Sequence, residues 1–76
     1  MDRRELRRRI QRRQNAVRFG ELRQLLEAYG WTLRRVSGSH HVFVRGSERL
    51  SIPSRRSTVL PIYVRQALRV TEGEDE

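Results

Sequence analysis

"WTLRRVSGSHHVFVRGSERLSIP" (Trp31–Pro53) decides the fold, because it is typical of three short strands separated by two tight turns. The predicted strands are Trp31–Val36, His40–Val44 and Arg49–Pro53. The β-branched and aromatic residues within them favour extended backbone, and the glycines in "SGS" and "RGSE" mark the turns. Strands joined this way form an antiparallel meander, and a sheet of only three strands must bury one face against helices.

Helical patterns flank this meander on both sides. Upstream, Val17–Gly30 places its apolar residues at helical spacing and ends in a glycine, which is typical of a helix C-terminus. Downstream, Pro61–Val70 opens with proline, a residue favoured at the first helical position. The sequence therefore predicts a two-layer α+β domain of order (α)αβββα, with a three-stranded antiparallel sheet and helices 18–29 and 61–70 on one side of it.

The two ends of the chain differ in composition from the middle. Residues 1–16 contain a run of good helix formers, but only Leu6 and Ile10 form an apolar stripe along it. We therefore expect a basic helical arm over 1–16 and a folded domain over 17–70. Residues 71–76, "TEGEDE", are acidic and are expected to form a disordered tail.

The charge of the chain indicates a polyanionic partner. Seventeen basic residues face nine acidic ones, which gives a formal net charge of +8, and all seventeen are arginine. Arginine grips phosphate through two parallel N–H bonds and stacks on bases, so the excess favours contact with nucleic acid over a merely solvated basic surface. The chain has no cysteine for a disulfide, and its arginine-rich start and short apolar runs predict a cytoplasmic protein without a membrane span.

Both histidines of the chain, His40 and His41, stand directly after Gly38 and Ser39 at the head of the second predicted strand. RNA carries its own nucleophile, the 2′-OH, so its cleavage needs a base, an acid and positive charge on the phosphate, but no metal. Histidine exchanges protons near neutral pH, a glycine turn lets phosphate approach closely, and a serine hydroxyl donates to it. Adjacent strand residues point to opposite faces, so we expect one catalytic and one peripheral histidine. The alternative is two inert strand-edge histidines.

Two pairs of arginines are predicted to surround the histidines. Arg34 and Arg35 belong to the first strand, and Arg55 and Arg56 belong to a basic loop between the third strand and the last helix. Their guanidinium groups would bind phosphate and stabilise its charge during cleavage. A metal site is not expected, because the sequence offers no third good ligand near the histidines.

Together these motifs resemble the HicA family of toxins from type II toxin–antitoxin modules. The matching features are Gly30-Trp31 after a helix, Gly38-Ser39-His40-His41 at the second strand, Ile52-Pro53 at the third, and a last helix over Leu60–Leu68. The resemblance covers about residues 17–70. It implies a fold like a double-stranded RNA-binding domain, ribosome-independent cleavage of mRNA without a cofactor, and inhibition by a HicB-like antitoxin. It also implies that His40 is catalytic, with His41 secondary.

One departure from the family pattern keeps other functions open. Many HicA relatives carry a histidine just after the third-strand proline, and here Ser54, Arg55 and Arg56 occupy those positions. A non-catalytic RNA-binding module of the same fold would use the same arginines. An interaction module whose basic arm binds an acidic partner is the third hypothesis.

Overall fold

The computed structural model describes residues 2–75 as helices packed on one side of a small sheet. In chain order the elements are α1 (Arg3–Arg12), α2 (Phe19–Ala28), β1 (Thr32–Ser37), β2 (His40–Arg45), β3 (Glu48–Pro53) and α3 (Pro61–Val70). The strands lie in the order β1-β2-β3 and are antiparallel to their neighbours. The predicted α+β class, the (α)αβββα order and the meander are therefore confirmed.

Local capping interactions fix where the helices begin. The side chain of Asp2 accepts a hydrogen bond from the backbone N–H of Arg4 at 3.1 Å and so caps α1. At α2, the carboxylate of Glu21 accepts from the backbone N–H of Arg18 at 3.1 Å and also pairs with the guanidinium of Arg13. Because Arg13 follows α1, this carboxylate ties the end of α1 to the start of α2.

The hydrophobic core lies between the sheet and the helices. Its fully buried members include Leu22, Leu25, Leu26, Phe43, Ile52, Val64 and Ala67. Gly30 connects α2 to β1 with a φ of 90°, a left-handed conformation that favours glycine. This turn lets both of its neighbours, Tyr29 and Trp31, bury their rings at 3% and 2% exposure.

The packing of α1 differs from the expected arm. Leu6 is buried and Ile10 is completely inaccessible, and both belong to the core cluster. Arg7 also donates a hydrogen bond to the carbonyl of Leu68, near the end of α3, at 2.6 Å. A stripe of two side chains is enough because α1 contacts both α2 and α3 and needs to cover only the space between them.

The acidic tail also differs from the expected disordered segment. The carboxylate of Asp75 accepts a hydrogen bond from the hydroxyl of Tyr29 at 2.6 Å and another from Nε of Arg3 at 2.8 Å. Opposite charges thus join the two ends of the described chain. Met1 and Glu76, which the predicted arm and tail include, lie outside the described residues. The division of the chain at residues 16 and 70 into separate units stays a prediction.

Candidate functional site

The two histidines begin β2 and face opposite sides of the sheet, as strand alternation predicts. His41 stands opposite Ile52, which is fully buried, so its side chain lies on the helix-facing side. His40 stands opposite Pro53 and is exposed. The register between β2 and β3 is continuous through this pair, so the strand keeps the two imidazoles apart.

His41 is held by contacts on the helical side of the sheet. Its ring centroid lies 4.2 Å from that of Phe19 at the start of α2, with the two ring planes tilted by 42°. Its Nδ1 lies 3.1 Å from the carbonyl oxygen of Ser39. A carbonyl oxygen only accepts hydrogen bonds, so Nδ1 must carry the proton in this contact. The half-buried His41 therefore links the β1–β2 turn to α2.

His40 borders an open cleft of about 390 Å³ beside the end of β3 and the start of α3. The residues lining this His40 cleft are His40, Pro53, Arg55, Arg56, Thr58, Leu60 and Tyr63. The cleft thus combines one imidazole, two guanidinium groups and two hydroxyl groups. These are groups that exchange protons with, or donate hydrogen bonds to, a phosphodiester.

Both hydroxyl-bearing residues of the cleft were missed by the sequence analysis. Tyr63 lies in the predicted last helix; it is partly buried against the core and also reaches the cleft. Thr58 belongs to the basic loop, where no pattern distinguished it from its neighbours. The proline that opens α3 is the one local sequence feature that marks this region, because it places Tyr63 in the first helical turn.

Ser39 connects the β1–β2 turn to the basic loop. Its carbonyl oxygen accepts a hydrogen bond from the backbone N–H of Ser54 at 2.7 Å, and its hydroxyl accepts one from Nε of Arg55 at 3.0 Å. Accepting leaves the hydroxyl proton free to be donated to another group. Gly38 permits the turn with a φ of 60°, again in the left-handed region. The network therefore holds Arg55 close to the cleft.

The other predicted arginine pair lies in a different groove. Leu33 stands opposite Phe43 and Arg35 stands opposite Val42, so Arg34 is an extra residue that forms a β-bulge in β1. Arg34 and Arg35 consequently line the same groove, of about 410 Å³, on the sheet face away from the helices. The remaining lining residues of this sheet-face groove are Val42, Val44, Gly46, Ser47, Glu48 and Arg49. The structure thus brings Arg55 and Arg56, but neither Arg34 nor Arg35, into the His40 cleft.

Carboxylates neutralise one set of arginines and leave another set uncompensated. Ion pairs join Arg3 to Asp75, Arg4 to Asp2, Arg13 to Glu21, Arg23 to Glu27, and Arg45 to Glu48 and Glu74. Within residues 2–75, the cleft and groove arginines make no ion pair, and Arg55 bonds only to Ser39. Uncompensated positive charge therefore lines the His40 cleft and the sheet-face groove, and it is also present at exposed positions of α1 and α3.

Pairing also moves the pKa values of groups on the helical side. Burial is the main cause that raises the pKa of the Tyr29 hydroxyl to about 12, and the hydrogen bond to Asp75 is the second cause. The same hydrogen bond is the main cause that lowers the pKa of Asp75. The hydrogen bond from Arg13 lowers the pKa of Glu21. These shifts belong to groups that hold the helices together, away from the cleft.

Residues 2–75 offer neither a clustered set of metal ligands nor a helix able to span a membrane. Among residues 2–75, no group of three or more histidine, aspartate or glutamate side chains is arranged to hold a metal ion. No helix in the same range has both the length and the apolar character needed to cross a membrane.

Comparison with known proteins identifies a family. A family model described as "HicA toxin of bacterial toxin-antitoxin" matches residues 19–72, which is more than half of the chain. The matched region runs from the start of α2 past the end of α3 and includes every residue of the His40 cleft. Neither the curated proteins nor the solved structures contain a match.

Proposed function

The chain belongs to the HicA toxin family of bacterial toxin–antitoxin systems, and from this premise we propose that it is an endoribonuclease that cleaves mRNA at the His40 cleft. The observation that carries the proposal is the composition of the cleft lining. An exposed imidazole lies there with two guanidinium groups, and no carboxylate is among the lining residues. Such a positive lining attracts the negatively charged phosphodiester. It offers no carboxylate that could bind a metal cation.

His40 is proposed as the catalytic residue that exchanges protons with the RNA. Its neutral imidazole takes the proton of a 2′-OH, and the 2′-oxygen forms a bond to the adjacent phosphorus. The bond between phosphorus and the 5′-oxygen breaks, that oxygen takes up a proton from water, and the protonated His40 returns its proton to the solvent. The products are a 2′,3′-cyclic phosphate and a 5′-hydroxyl, so neither a metal nor another cofactor takes part in the proposed reaction.

Arg55 and Arg56 are proposed to stabilise the charge that develops on the phosphate. The hydrogen bond from Arg55 to the hydroxyl of Ser39 fixes this guanidinium before RNA binds, and preorganised donors are more effective than mobile ones. The turn at Gly38 has open space around it, because nothing lies within 4 Å of where a Cβ would be. A phosphate can therefore approach the backbone closely at this turn.

His41 is proposed to have a positioning role. Its contacts with Phe19 and with the carbonyl oxygen of Ser39 hold the turn that carries the neighbouring catalytic residue. Loss of His41 would then weaken cleavage through displacement of the turn. This assignment agrees with the secondary place given to His41 by the family motif.

Because the family belongs to toxin–antitoxin systems, an antitoxin partner is expected. We propose that this antitoxin is a HicB-like protein that inhibits the toxin in the cytoplasm. The substrate is proposed to be mRNA cleaved in the absence of the ribosome. The excess of arginine and the uncompensated cations of the His40 cleft support an RNA substrate over a neutral one.

The test of the proposed function is incubation of the purified protein with a labelled mRNA transcript in EDTA, with mass analysis of the product ends. We expect cleavage that yields 2′,3′-cyclic phosphates and is blocked by a single 2′-deoxy substitution at the cut site. Product ends with a 5′-phosphate would contradict attack by the 2′-OH. RNA binding without cleavage would support the non-catalytic RNA-binding module, for which Ser54, Arg55 and Arg56 in place of a histidine are the supporting observation.

A further inference from the structure

The β-bulge in β1 adds one arginine to the sheet-face groove. In a regular strand Arg34 and Arg35 would point to opposite faces, and one of them would be directed at the helices. The bulge places both on the open face, where they line one groove together with Arg49 from β3. Three guanidinium groups from the two edge strands thus lie on either side of Val42 and Val44 in the central strand.

These three cations have no counterion within the described chain. The guanidinium groups of Arg34, Arg35 and Arg49 make neither an ion pair nor a hydrogen bond among residues 2–75. The one carboxylate that lines the groove, Glu48, is already bound by Arg45 at 2.9 Å. The groove therefore presents an uncompensated charge close to +3, which favours an external anion with several charges.

The groove and the His40 cleft lie next to successive positions on one face of β2. His40, Val42 and Val44 alternate on the same face of this strand, and their partners in β3 are Pro53, Ser51 and Arg49. Four residues of strand separate His40 from Val44, or about 13 Å at the usual rise. An extended RNA chain bound at the cleft would therefore need only a short segment to reach the groove.

We propose that the sheet-face groove binds the phosphates of single-stranded RNA on one side of the cleavage site, with Arg34, Arg35 and Arg49 as the binding residues. This inference rests on the proposed function for its substrate and adds a second contact surface to it. One guanidinium group donates two parallel hydrogen bonds to a phosphate and can also stack on a base. The groove is open, so an extended chain can enter it. RNA therefore fits it better than a folded acidic protein does.

The test is the salt dependence of RNA binding, measured by fluorescence anisotropy. The probe is a fully 2′-O-methylated 12-nucleotide RNA, which cannot be cleaved by attack of a 2′-OH. The groove variant is Arg34→Gln/Arg35→Gln/Arg49→Gln. The matched control is Arg8→Gln/Arg12→Gln/Arg65→Gln, which removes the same charge from exposed positions of α1 and α3.

We expect the slope of log affinity against log salt to decrease in magnitude by about 2.1 in the groove variant, at roughly 0.7 for each phosphate that the variant no longer binds. This corresponds to a loss of affinity on the order of 100-fold at 0.1 M salt, and the control should keep the wild-type slope. An unchanged slope in the groove variant, or equal losses in both variants, would overturn the inference. If the triple variant unfolds, Arg35→Gln/Arg49→Gln should decrease the slope by about 1.4.

A second probe separates RNA from other polyanions. Decaglutamate should bind the wild type much more weakly than the RNA does, and comparable affinity with a comparable salt slope would overturn the assignment to RNA. The anisotropy measurement does not depend on cleavage. A wild-type protein that binds through the groove but cleaves no RNA would therefore contradict the proposed function and leave this inference standing.

Discussion

The ion-paired arginines on the helical side of the molecule and the arginines of the sheet-face groove are the same residue type in opposite settings. On the helical side, Arg3 pairs with Asp75 and lies 4.5 Å from the ring centroid of Tyr29. On the open side, the guanidinium groups of Arg34 and Arg49 make no ion pair within residues 2–75. The contrast teaches that net charge alone does not locate a binding surface, and that absence of a carboxylate partner together with clustering in one groove indicates one.

The two sets of arginines also differ in what they contribute to folding. Exposed ion pairs add little free energy individually, so the helical set acts mainly together with the buried side chains beneath it. Clustered cations without counterions repel one another and destabilise the folded chain, and an anionic ligand removes that cost. Substitutions on the two sides of the molecule should therefore differ in kind, and those expected to have the largest effect come first.

The largest effect is expected in the buried part of the helical side. Ile10→Ala should lower the free energy of unfolding by about 2–5 kcal/mol, because it removes a fully buried side chain from a small core. Urea denaturation measures the difference, and Gln11→Ala on the exposed side of α1 is the control, with a change within about 0.5 kcal/mol. A neutral Ile10→Ala would mean that α1 is a separable arm after all.

The next largest effect concerns the two histidines. His40→Ala should reduce RNA cleavage on the order of 100-fold or more and leave thermal stability unchanged, because the side chain is exposed. His41→Ala should reduce cleavage less and lower the melting temperature, because its ring packs against Phe19. The measurements are initial rates on labelled RNA and thermal melts of both variants.

The reverse order of the two losses would move the catalytic role to His41. Full activity in the double variant would exclude catalysis by either histidine. Both outcomes would leave the RNA-binding surface intact, because the arginines that form it remain in place.

The sequence was sufficient for features that local pattern and stereochemistry determine. Helical spacing and the proline at position 61 located α3 to the residue, and Gly30 correctly marked the turn into β1. Alternation along β2 correctly placed His40 and His41 on opposite faces of the sheet. These features depend on residues within a few positions of one another, so the local sequence is enough to predict them.

The remaining features depend on contacts between distant parts of the chain. The two-residue stripe of α1 is too thin to predict a core helix, and its burial depends on the space between α2 and α3. The bulge at Arg34 depends on the pairing of β1 with β2, and no residue in β1 is a sequence signal for it. Tyr63 enters the His40 cleft only because the basic loop brings the start of α3 next to β2.

A third prediction contrasts unpaired with paired arginines in RNA binding. Arg55→Ala/Arg56→Ala should decrease the magnitude of the salt slope by about 1.4, at roughly 0.7 for each phosphate contact in single strands. Arg3→Ala/Arg23→Ala removes the same charge from arginines already bound to carboxylates and should change the slope little. Anisotropy titrations from 50 to 300 mM salt, roughly the range in which such slopes are resolved, compare the two variants. Equal slopes would remove the basic loop from the binding surface.

The smallest effect is expected at the contact between Tyr29 and Asp75. Tyr29→Phe should destabilise the protein by about 1 kcal/mol near pH 7, because it removes one hydrogen bond. The pKa of Tyr29 is raised from 10.0 to about 12, so the folded state favours the neutral hydroxyl. Its contribution is therefore complete below pH 10 and is lost as the pH rises towards 12.

Thermal melts between about pH 8 and pH 12 provide the comparison. The wild type should lose stability over the upper half of this range, and the advantage over Tyr29→Phe should shrink as it does so. Parallel curves for the two proteins would show that the hydroxyl does not titrate in contact with Asp75.

The β-bulge at Arg34 determines how the sheet would respond to a change of one residue in the length of β1. In a regular strand, deletion of one residue turns every residue on one side of the gap to the other face. Here, loss of one arginine would restore the alternation and leave Leu33 opposite Phe43 and the remaining arginine opposite Val42. The bulge is therefore a position where this chain can lose a single cation by a one-residue deletion, with every core side chain kept on its own face.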